Sequence, residues 1–134
     1  MKVENRVTPS KQQMAEFNQS GQEEPIYMLN LLKCKAKAAY VDKRTTQLTG
    51  EEAYSIYAQE VQNFIEDVGG KSIFAGNINR LMLGEVEELW DKVGIVMYPS
   101  RKAMLKMVTN PDYLKSAEHR TAGLEGQLNI ETNL

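Results

Sequence analysis

From Tyr54 through Tyr57, Ala58, Val61, Phe64 and Ile65 to Val68, apolar residues recur at spacings of three and four, which predicts a helix of about five turns with one apolar face. Thr49 and Glu52 fit the reciprocal cap that opens such a helix, and Gly69-Gly70 end it. Upstream, Pro25 to Cys34 carries Ile-Tyr-Met-Leu-Asn-Leu-Leu, apolar on both faces, as in a central strand. The intervening stretch, Ala36 to Thr49, has no sustained period and reads as a long surface loop, of a length that is often functional. Downstream, Ser72 to Asn77 and Leu81 to Gly84 read as short strands around a polar turn, and Leu89 to Tyr98 as a long strand rich in Val and Ile. Ser100 caps a helix that turns Ala103, Met104, Met107 and Val108 inward, and Asn110-Pro111 restarts it in a new direction. Leu124 to Thr132 supplies a last strand. At the other end of the chain, Thr8-Pro9 predicts a short helix reaching Gln19 and ended at Gly21, with Met14 and Phe17 as its large anchors.

The order, a helix followed by βαββαβ, is the split βαβ pattern of an α+β, ferredoxin-like fold: a four-stranded antiparallel sheet with both main helices on one face. Residues 1–134 are expected to form one domain, 1–24 an accessory helix and 25–134 the ferredoxin-like core. Helices can cover only one face of that sheet, yet Pro25–Cys34 and Val93–Tyr98 are apolar on both. An uncovered apolar face of several hundred square ångströms marks an interface. The expectation is a homodimer joined through its sheet faces about a two-fold axis.

Composition narrows the classes. The 134 residues are 42% apolar and 25% charged, the profile of a soluble domain. A formal charge of -2, with no run of five or six like charges, speaks against a nucleic-acid partner; Lys33, Lys35 and Lys37 read as a solvated strand end. One cysteine and one histidine fall short of the four ligands of a structural zinc site, so neither metal nor cofactor is expected. Nothing approaches the ~20 apolar residues of a membrane span, and the N-terminus lacks the apolar core of a signal peptide, which points to a cytoplasmic protein without a membrane partner. There is no nucleophile elbow and no glycine-rich phosphate loop.

Five residues are candidates for binding a small organic ligand. Asn30 interrupts an apolar strand, and a buried amide must find partners, in the protein or in a ligand. Tyr54 and Tyr57 lie on the helix face that meets the sheet, as core aromatics or with hydroxyls in a cleft. Tyr40, in the long loop, either closes over a ligand or packs back onto a helix. Arg120 shares a face with Tyr113, two turns away, and its guanidinium needs Asp91, a strand carbonyl or the carboxylate or enolate of a ligand. His119, the obvious acid or base, aligns with Asp112, Lys115 and Ser116 on a polar side and is expected to be exposed. Trp90-Asp91 reads as a core anchor followed by a turn carboxylate.

The sequence also resembles a bacterial family, domain of unknown function 1330, in its long form with an N-terminal helix. The resemblance runs through Met28-Leu29-Asn30-Leu31-Leu32-Lys33, Ala38-Ala39-Tyr40, Gly50 to Tyr57, Gly69-Gly70, Gly76, Trp90-Asp91, Tyr98-Pro99-Ser100, Pro111-Asp112-Tyr113 and Arg120 to Leu124. Cys34 departs from it, since an aromatic residue commonly follows Leu-Leu-Lys. The resemblance implies membership of the dimeric α+β barrel group, whose members range from cofactor-free oxygenases to proteins of no known chemistry. By analogy with them, it implies a small molecule held between sheet and helices. Three readings follow: a small-molecule-binding homodimer, with an organic anion as candidate ligand; a cofactor-independent oxygenase or isomerase using His119 or a tyrosine; and an assembly protein without ligand.

Overall fold

Capping chemistry sets the helix starts. In the computed structural model, which describes residues 4–19 and 23–134, the first helix, α1 (Lys11–Phe17), begins under Ser10, whose hydroxyl accepts from Gln13 N–H while Gln13 returns a bond to the Ser10 amide. This reciprocal cap displaces the start expected at Thr8-Pro9. The stop expected at Gly21 lies outside the described residues. Strand β1 (Ile26–Cys34) follows, then α2 (Gly50–Asp67), opened by the expected pairing of Thr49 with Glu52. Strands β2 (Lys71–Asn77) and β3 (Lys92–Tyr98) lead to α3 (Arg101–Val108), capped by Ser100. Helix α4 (Pro111–Gly123), capped by Asn110 with Pro111 in its first turn, runs directly into β4 (Leu124–Thr132).

The four strands form one antiparallel sheet in the order β2-β3-β1-β4, so the α+β, ferredoxin-like fold expected from the element order is the one observed. Directly paired residues point to the same side of a sheet. Ile26, Met28, Asn30 and Leu32 therefore share one face with Tyr98, Val96, Gly94 and Lys92, and there the main core forms: Ile26, Met28 and Tyr98 pack with Tyr57, Val61 and Ile65 of α2, Met107 of α3, and Tyr113 and Ala117 of α4. Phe17 of α1 packs against this core. The opposite row holds Tyr27, Leu29 and Leu31, Val93, Ile95 and Met97, Leu128 and Ile130, and Phe74. None of these belongs to a core cluster; Phe74 is 54% exposed and Ile130 37%.

Two long connections complete the chain. Residues 35–49 are tied to the end of α4: Lys35 N–H donates to Gly123 O at 2.8 Å and Ala39 N–H to Ala122 O at 3.0 Å, around a small core of Ala38, Tyr40, Ala53 and Ala122. Here α2 and α4 touch backbone to backbone. A Cβ on Gly123 would overlap the Gly50 carbonyl oxygen and lie 2.8 Å from Tyr54 N, so glycine is required. Residues 78–91 form the second connection. The strand expected at Leu81–Gly84 is absent and the one expected from Leu89 starts at Lys92, because bonds from Ile78 N–H to Asp91 O and from Asp91 N–H to Leu32 O close the β2–β3 pair and leave the residues between without a strand to pair with.

Candidate functional site

The exceptional row position in β1 is Asn30, a polar side chain between Met28 and Leu32 on the helix-facing side of the sheet. Its amide nitrogen makes long contacts with Met28 O (3.3 Å) and Gly94 O (3.4 Å). Its Oδ1 accepts from two β4 side chains, Gln127 Nε2 at 2.8 Å and Asn129 Nδ2 at 2.5 Å. The Gln127 Oε1 in turn accepts from Arg120 Nη1 at 2.7 Å. A chain of amides thus runs from the centre of the sheet to the last turn of α4, where the helix dipole favours a cation.

Arg120 is the least satisfied member of that chain. Its Nε is buried without a hydrogen-bond partner, and it makes no salt bridge among the described residues. Asp91, expected as its structural partner, instead accepts from Cys34 N–H at 2.7 Å, beside a thiol that burial pushes up. A half-buried cation whose one hydrogen-bond partner is a neutral amide bears a desolvation cost that an anion would repay.

Tyr54 and Tyr57 stand beside this cation on α2, ring centroids 5.5 Å apart, and the Tyr57 hydroxyl meets that of Tyr113 at 3.0 Å. Burial pushes the Tyr54 phenol up to about 12, the Arg120 charge opposing. Burial, with Tyr113 next, drives Tyr57 well above the usual phenol range, again against Arg120. Both hydroxyls are neutral donors at neutral pH. The Tyr54 hydroxyl makes no hydrogen bond among the described residues and so has capacity to spare.

Of the five sequence-predicted residues, Asn30, Tyr54, Tyr57 and Arg120 are thus brought together, whereas Tyr40 stands apart. Tyr40 is buried in the 35–49 connection with its hydroxyl 2.6 Å from His119 Nδ1, ring edge to face. Arg44 lies over the Tyr40 ring at 4.3 Å and is held by both Asp42 oxygens and, at 3.4 Å, by Glu118. This corrects the expectation of an exposed His119. The histidine is half-buried, and Ser116, placed on the same polar side, is buried with its hydroxyl donating to Glu60 at 2.6 Å. The docked loop meets His119 and α2 meets Ser116, while Asp112 and Lys115 stay exposed as their polarity suggests. Trp90 is half-buried before β3 and lies outside both core clusters, not the anchor expected of it.

Sequence reasoning missed Gln127 and Asn129. The signal is the alternation of β4, where Gln127, Asn129 and Glu131 are polar against Gly126, Leu128 and Ile130. Such a polar row normally faces water; here it faces the helix side, and Glu131 forms a two-point ion pair with Arg101 at 2.7 and 2.8 Å. No group of three metal-ligating side chains occurs among the described residues, nor any helix long and apolar enough to cross a membrane.

A family model described as a domain of unknown function (DUF1330) matches residues 38–132. The chain belongs to this family. A crystal structure of a protein of unknown function from Rhodopseudomonas palustris is 34% identical, with 98% of each chain covered and a TM-score of 0.87. At 18% identity, a protein from Arabidopsis thaliana aligns over 81% of this chain and 94% of its own with a TM-score of 0.57. SnoaB, a cofactor-independent oxygenase from Streptomyces nogalater, is 14% identical over 83% of this chain and 93% of its own, with a TM-score of 0.52. These last two likenesses are of fold. No curated protein matches the chain.

Proposed function

We propose that this DUF1330 member is a homodimer that binds a small organic anion, with Arg120 as the clamp and Tyr54, Tyr57 and the Asn30 amide chain as neutral donors around it. The observation that carries the reading is the buried, unpartnered Arg120 Nε beside a neutral glutamine. A guanidinium holds a carboxylate or enolate through two parallel N–H bonds, and here one edge position is free. The dimer is supported by the apolar sheet row from Tyr27 to Ile130, which the helices of its own subunit leave uncovered. Its interface should exceed ~1,600 Å² in total.

Native mass spectrometry of freshly purified protein tests both parts, since it reports twice the 15.2 kDa chain mass and any retained ligand. Arg120→Ala should abolish ligand retention and lower stability only modestly. A purely structural Arg120 predicts the reverse, a loss of about 3 kcal/mol or more with retention unchanged. Light scattering that shows a monomer at micromolar concentration rejects the dimer.

One observation favours a catalytic reading, a cofactor-independent oxygenase or isomerase: the Tyr40 hydroxyl lies 2.6 Å from His119 Nδ1, a phenol and an imidazole within proton-transfer distance. That pair stands apart from the Arg120 cluster, which makes anion binding the primary reading. Loss of a measured turnover in His119→Gln, with circular dichroism unchanged, would reverse the order.

A further inference from the structure

The connection 78–91 is held at both ends by backbone bonds and yet presents five aliphatic side chains to solvent: Met82 is 96% exposed and Leu83 87%, with Leu81, Val86 and Leu89 exposed beside them. Single exposed apolar residues are ordinary, but five within nine positions of a segment anchored at its base form a patch that needs a cover.

Its position indicates the cover. Glu88 pairs with Lys33 Nζ, and Lys33 continues the row of β1 that faces away from the helices. The segment is therefore tied to the rim of the apolar sheet face, and its patch extends that face. Charge then selects an orientation. Glu85 and Glu87 form no salt bridge among the described residues, and neither does Lys71, which lies in the same outer row at the opposite end of the sheet. A two-fold axis parallel to the strands would set the acidic segments of two copies against each other. An axis between the sheets and across the strands brings each acidic segment over the Lys71 end of the other copy, twice by symmetry.

We infer that residues 78–91 are an arm by which each copy grips the far end of the other's sheet, Met82 and Leu83 packing on it while Glu85 and Glu87 face Lys71. The inference rests on the proposed dimer and adds the arm and its direction. The test is analytical ultracentrifugation of the full chain. Met82→Ser/Leu83→Ser should weaken the dimer at least tenfold with an unchanged circular dichroism spectrum. Glu85→Lys/Glu87→Lys should weaken it severalfold at low salt, and adding Lys71→Glu should restore it. A wild-type monomer overturns the dimer and the arm together. A wild-type dimer whose constant does not move in the serine variant assigns the patch to another partner and overturns the arm alone. Failure of Lys71→Glu to restore binding overturns its direction.

Discussion

The two long connections, 35–49 and 78–91, are of similar length and have opposite fates. The first turns Ala38 and Tyr40 inward, ties its backbone to Ala122 and Gly123, and locks Tyr40 onto His119. The second is tied only at its base and by Glu88, and points Met82 and Leu83 outward. The difference follows the two sides of the sheet. On the helix side, small residues at Gly50, Ala53, Ala122 and Gly123 let a loop and two helices meet without a gap. On the other side there is no layer for a loop to join. A loop is thus ordered by the surface it can reach, and its own composition is secondary.

The largest test of this contrast is Gly123→Ala. The added methyl would drive the Gly50 carbonyl and the Tyr54 backbone apart and loosen the anchorage of the docked loop, for an expected loss of about 3 kcal/mol in urea unfolding. A loss under about 0.5 kcal/mol would show that the junction yields.

Alkaline titration probes the same side. The Tyr54 phenol is raised by burial from its ordinary 10.0 to about 12, so its neutral form is favoured in the folded chain. The native state then holds a proton that the unfolded state releases, and the associated stability is fully present below pH 10 and lost as pH rises toward 12. Its size is at most about 3 kcal/mol. Tyr54→Phe should flatten that part of the stability profile, and an unchanged slope would remove Tyr54 as its source.

Tyr40→Phe keeps the ring under Arg44 and deletes the bond to His119, which should cost about 1 kcal/mol and raise hydrogen exchange across 35–49. Equal exchange in both proteins would mean that the backbone bonds alone hold the loop. The smallest effect belongs to the second connection: Met82→Ala should shift unfolding of the monomeric chain by less than about 0.5 kcal/mol. A larger loss would show that the tip supports the rest of its own chain.

Much of the fold was legible. The Tyr54 to Val68 period, the Thr49–Glu52 cap, Ser100, Asn110-Pro111 and the βαββαβ order each correspond to an observed feature, because each depends on residues within about one helical turn or on simple alternation. The Leu81–Gly84 strand failed for a nonlocal reason. Strand propensity acts only where a neighbouring strand offers partners, and the β2–β3 pair closes before reaching it.

The sequence by itself determined that Asn30 is anomalous, that Arg120 needs a partner and that two strands are apolar on both faces. Only the tertiary structure decided which partners they find. Gln127 and Asn30 are 97 residues apart, Tyr40 and His119 79, and no local pattern links such pairs. Alternation in β4 separates a polar from an apolar row but does not say which row faces the helices. That assignment depends on where α2 and α4 come to lie, and it turned Gln127 and Asn129 inward toward Asn30 while leaving Leu128 and Ile130 on the uncovered face.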